Sequence, residues 1–126
     1  MASLLLLLPL TVGCGTETAP LIEAGEYTAI TQISDFKYAS IREWTKKVDE
    51  NEIIAILERY EREAEPHADV DFPQATVEVQ IFGTDENGAF RIFLGNPNEC
   101  YYEDDTVGYT IPEGEKLLEE IWGLLE

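Results

Sequence analysis

The stretch Ala75–Leu94, ATVEVQIFGTDENGAFRIFL, decides the fold. Val77, Val79 and Ile81 alternate with Glu78 and Gln80, and Phe90, Ile92 and Leu94 follow with Arg91 between them. A period of two puts one apolar face on each segment, the pattern of two half-buried strands. The link Asp85-Glu86-Asn87-Gly88 contains the Asn-Gly pair that tolerates the positive φ of a tight hairpin. Closure at Glu86/Ala89 sets Ile81 opposite Leu94, and closure at Thr84/Ala89 sets Val79 opposite Leu94. The two registers differ by two residues, so both keep the same apolar set on one side. That face needs a cover.

Two amphipathic segments can supply it. Asp49 is a capping residue, Glu52 stands in the capping-box position and Val48 with Ile53 fits a hydrophobic staple. Ile53, Ile56, Leu57, Tyr60 and Ala64 then recur at helical spacing, and Pro66 ends the pattern. Pro112 opens a second helix, with Glu113 and Glu115 in its first turn. Leu117, Leu118, Ile121, Trp122, Leu124 and Leu125 give that helix a wide apolar face.

Outside these elements, Glu26–Ile33 has the β-branched and aromatic density of a first strand. Phe36–Val48 reads as a strand, with Lys37, Ala39 and Ile41 facing one way. A helix capped by Ser34 is the alternative, but its stripe of Phe36, Ser40, Trp44 and Val48 is broken by a serine. Asn98–Glu103 and Val107–Ile111 read as a second hairpin. Pairing Tyr102 with Val107 puts Cys100, Tyr102, Val107, Tyr109 and Ile111 on one face. The sum is β-β-α-β-β-β-β-α: an α+β domain with an antiparallel sheet of five to six strands and two helices on one face.

With 126 residues the chain has room for one core, and 26 acidic against 8 basic residues give a formal charge of -18. That charge disfavours nucleic acid and anionic lipid as electrostatic partners. The bases are clustered: Lys37, Arg42, Lys46 and Lys47 fall within eleven positions, and Lys116 is the only base after Arg91.

The opening MASLLLLLPLTVGCG carries an apolar run too short to span a bilayer, which takes about 20 residues. Thr11-Val12-Gly13-Cys14 resembles the lipobox of bacterial lipoproteins, although Thr11 stands where leucine is usual. The resemblance implies cleavage after Gly13 and a diacylglyceryl group on Cys14, two acyl chains being enough to hold a protein stably on a membrane. It divides the chain into a signal peptide (1–13), a tether (14–25) and a domain (26–126). The expected place is the extracytoplasmic face of the cell membrane, with the bilayer as partner through Cys14. If Cys14 is not lipidated, a Cys14–Cys100 bridge is open to it in an oxidising compartment. The two-layer pattern is similar to small domains of unknown function behind lipoprotein signals in Gram-positive bacteria, a likeness of architecture that carries no catalytic residue across.

Candidate chemistry is sparse. His67, Asp69 and Asp71 alternate in one loop, but no second cluster completes a metal-ligand set. Asp85–Gly88 fails as a calcium loop, because alignment on Gly88 puts Gly83 and Leu94 where carboxylates are required. Cys100 with His67 is a poor nucleophile pair, since the acidic run around Cys100 disfavours a thiolate. The most distinctive surface is Glu99–Asp105: Tyr102 inward, Tyr101 outward, with Glu103, Asp104 and Asp105 around it as a possible partner-binding patch. The expectation is therefore a non-catalytic binding or accessory module, with no cofactor, no metal and an unknown protein partner. The alternative is a small acidic inhibitor or immunity-type protein that occupies a cationic cleft.

Overall fold

The structure, a computed structural model, describes residues 17–38, 40–66, 77–95, 100–104 and 107–126. Its centre is the expected hairpin, β5 (Val77–Asp85) and β6 (Gly88–Gly95). Thr84 lies opposite Ala89 and Val79 opposite Leu94, which selects the second of the two registers. The turn chemistry explains the choice. The Asp85 carboxylate accepts the Asn87 amide at 2.9 Å, and Gly88 takes φ 120°, a region that L side chains avoid. A bulge between Val77 and Val79 breaks the register at the far end of β5, beside Glu78.

Six strands form the main sheet, in the order β3-β2-β5-β6-β7-β8, all antiparallel. The others are β2 (Ala29–Asp35), β3 (Arg42–Glu43), β7 (Tyr101–Glu103) and β8 (Gly108–Thr110). Register carries one lateral row across it: Ile33, Ile81, Ile92, Tyr102 and Tyr109 are successive cross-strand partners. Two helices cover this row. Helix α1 (Glu50–Leu57) contributes Ile53 and Leu57, and α2 (Gly114–Leu125) contributes Leu117, Leu118, Ile121 and Leu125. Each such side chain removed from water contributes about 1.5–3 kcal/mol. The α+β architecture is the one expected.

Several details differ from the sequence reading. First, α1 stops at Leu57 rather than running to Pro66. Its last turn tightens into Arg59 N–H to Ile56 and Tyr60 N–H to Leu57 bonds, and Glu61–Glu63 becomes a strand, β4. Tyr60 keeps its place in the core, so the apolar spacing outlives the helix. Second, β4 pairs with β1 (Thr18–Pro20), inside the stretch read as a tether. Leu21 and Ile22 follow at 1% and 4% exposure, so the folded unit reaches back to Thr18 instead of starting at Glu26. The polar residues and Pro20 disguised the segment, because β1 satisfies its backbone on the distant strand β4, with Thr18 opposite Glu63 and Pro20 opposite Glu61.

Third, Phe36–Val48 is neither the long strand nor the helix. It is an excursion with a two-residue strand, β3, and a turn over Thr45–Lys47. Fourth, Tyr102 pairs with Tyr109 rather than Val107. The shift is two residues, so Cys100, Tyr102 and Ile111 remain on the buried side. The last helix likewise begins at Gly114, two residues beyond Pro112.

Candidate functional site

The expected partner surface is built into the β7–β8 hairpin. Tyr102 faces the core, stacked on Phe90 with ring centroids 5.9 Å apart, while Tyr101 is half-buried on the other face. The Arg62 guanidinium from β4 lies 5.1 Å from the Tyr102 ring and 4.0 Å from that of Tyr109. Burial pushes the Tyr102 hydroxyl up to about 12. The acids have internal tasks. Glu103 accepts Arg91 Nε at 2.6 Å, and Asp104 Oδ1 accepts the Val107 amide at 3.1 Å to close the turn. Asp105 lies outside the described residues, as do Cys14, His67, Asp69 and Asp71. Cys100 is buried, its thiol donating to the Gly95 carbonyl at 3.6 Å.

A second feature is more concave. Helix α2 carries Glu115, Glu119, Trp122 and Glu126 along one stripe at helical spacing, next to its buried face. Opposite stand Lys37, just past β2, and Glu78, at the bulge in β5. The Phe36 amide bonds the Glu78 carbonyl at 2.8 Å and fixes these two segments together. Between them is a cleft of about 500 Å³ with Trp122 and Leu118 as its apolar wall. The indole is held by its Nε1–H, which donates to Glu78 Oε1 at 3.0 Å. The Lys37 ammonium sits 4.7 Å from the Trp122 ring centroid.

The wall behind Lys37 is a hydrogen-bonded knot around Asp35. This carboxylate is fully buried and accepts from Trp44 Nε1 at 2.6 Å, Arg42 Nε at 2.9 Å and the Lys37 amide at 3.1 Å. Arg42 also reaches Glu126 at 3.1 Å, so the excursion after β2 is tied to the end of α2. Those carboxylates, Glu126 first, hold the guanidinium pKa above its usual value against the opposing effect of burial. Tyr38 and Ile41 project from the tip, 55% and 69% exposed. At the other end of the helix pair, Glu120 binds Arg59 at 2.6 Å and accepts the Tyr60 hydroxyl. Arg59 chiefly, then Tyr60, lowers the Glu120 pKa.

The residues of the cleft were read in the sequence as other things: Lys37 as a strand residue, Glu78 as a solvent-face residue and Trp122 as core. Only the acidic stripe beside Trp122 was a local signal. The pairing of Lys37 with Glu78 and α2 is a tertiary fact with no local signature. Compared with protein families, curated proteins and solved structures, the chain matches none.

Proposed function

We propose that the chain is a lipid-anchored bacterial surface protein whose α+β domain is a non-catalytic binding or accessory module. The observation that carries this reading is the leucine run leading into Gly13-Cys14, followed almost at once by the fold. Thr18 stands four positions after Cys14, at most about 14 Å of extended chain. A diacylglyceryl group on Cys14 then holds the domain close against the bilayer rather than on a free leash. The net charge of -18 keeps it from lying flat on an anionic surface. Concave and aromatic surface is available for a partner at the Trp122 cleft and around Tyr101.

The test is the intact mass of the mature protein expressed in a bacterial host, beside a Cys14→Ser control. Loss of Met1–Gly13 with a diacylglyceryl adduct, absent from the control, is the expected result. An unprocessed, unmodified chain would remove the anchor and leave the soluble acidic inhibitor as the leading reading.

A further inference from the structure

We infer that the cleft on Trp122 is a binding site for an alkylammonium group, a protonated amine on an aliphatic stem, and that Lys37 is its built-in occupant. The inference rests on the binding-module reading and gives that module a ligand class. A cleft of about 500 Å³ is of small-ligand size. Its apolar wall is an indole face, the best aromatic surface for a cation. Glu78 locks the indole through Nε1 at 3.0 Å, so the face is presented without further ordering. Glu115 and Glu119 line the same space beside Lys116, offering carboxylate acceptors to an ammonium, while Glu126 at its edge is already held by Arg42.

The protein itself shows what the ring accepts. The Lys37 ammonium lies 4.7 Å from the Trp122 centroid, and Lys37 is among the residues that line the cleft. Lys37 is an exposed residue on the excursion after β2, so its side chain swings out at little cost. An incoming amine takes over the ring and the carboxylates, and Lys37 moves to solvent. Lys37 is then a competitor, and its removal strengthens binding.

Two sources supply this chemistry, a free polyamine or a lysine side chain of a basic protein segment. Titration of the full chain with spermidine and with a Lys-Ala-Lys tripeptide, read by calorimetry and indole fluorescence, separates them by which binds more tightly. Lys37→Ala is expected to bind the better probe about threefold more tightly, as loss of a modest cation–π competitor requires. Trp122→Leu and Glu119→Gln are expected to bind it at least about fivefold more weakly. Near-ultraviolet dichroism shows whether Trp122→Leu is folded; if it is not, the other two variants decide. Failure of both probes to bind, or a Lys37→Ala variant that binds no more tightly, overturns the inference. A lipidated Cys14 together with an amine-blind cleft would leave the anchored module standing and remove only this site.

Discussion

Gly114 lies directly against Cys100: a Cβ built on the glycine falls 2.1 Å from the cysteine Cβ and 2.4 Å from its Sγ. Neither atom is the free end of a long side chain, so the first turn of α2 and the approach to β7 would have to separate. The glycine is required by close approach, which lets the helix start against the sheet.

Gly114→Ala is therefore expected to destabilise the fold by about 2–3 kcal/mol through overpacking. Gly123, in the same helix, has nothing within 4 Å of its built Cβ. Gly123→Ala should stabilise by up to about 1 kcal/mol, the helix preference of alanine over glycine. Urea unfolding of the two variants checks the opposite signs.

Two buried tyrosines make the domain sensitive to alkali. Burial raises the Tyr102 pKa to about 12, and burial followed by the Glu120 hydrogen bond raises that of Tyr60 further. An unfolded tyrosine ionises near pH 10. Between about pH 10 and 12 the unfolded chain has lost protons that the folded chain retains, so stability falls as pH rises and is intact below that window. For Tyr102 alone the loss is on the order of 2 kcal/mol. Tyr102→Phe should flatten the alkaline limb of the stability curve, measured by urea midpoints across that range. A variant with the wild-type slope would show that Tyr102 ionises normally.

The hairpin, both helices and their apolar faces were legible because each rests on a local period: Val77, Val79 and Ile81 at two, Leu117, Ile121 and Leu125 near four. The second hairpin kept Cys100, Tyr102 and Ile111 inward although its register moved by two. What was hidden depends on distant partners. β1 exists only because β4 is beside it, and Arg42–Glu43 forms a strand only on Ser34–Asp35. For the candidate site, the sequence set Tyr101 and Tyr102 on opposite faces. It did not show that Glu103 is bound to Arg91, nor that Lys37 meets Trp122 across 85 positions.

Asp35 is the keystone of the excursion that carries Lys37. Asp35→Ala leaves the Trp44 indole N–H and the Lys37 amide, both part-buried, without their acceptor, and an orphaned donor costs about 1–3 kcal/mol where it is shut off from water. The expected loss is about 3 kcal/mol, with loss of the Trp44 near-ultraviolet dichroism. Glu126→Ala removes only a surface partner of Arg42 and should change stability by less than about 0.5 kcal/mol. Equal effects from the two variants would mean that the knot is not organised around Asp35.

The reach of the fold into the supposed tether gives the sharpest test. The segment after β1 is stapled to the hairpin tip. Asp85, itself buried, accepts the Glu23 amide at 2.8 Å, Glu86 Oε2 accepts the Tyr27 amide at 2.7 Å, and the Glu86 amide bonds the Glu23 carbonyl at 3.2 Å. Deleting residues 1–16 removes none of this and should leave the unfolding midpoint unchanged. Deleting residues 1–25 removes β1, Leu21 and Ile22, and large apolar side chains in a core are each worth about 2–5 kcal/mol. That truncation is expected to unfold the domain or bring it to the edge of stability. A point variant separates packing from strand pairing: Asp85→Ala keeps Leu21 and Ile22 but frees the Glu23 amide, which should exchange its hydrogen far faster than the amides of β5 and β6. If the longer deletion were as stable as the shorter one, residues 17–25 would be a tether after all, and the domain would begin at Glu26.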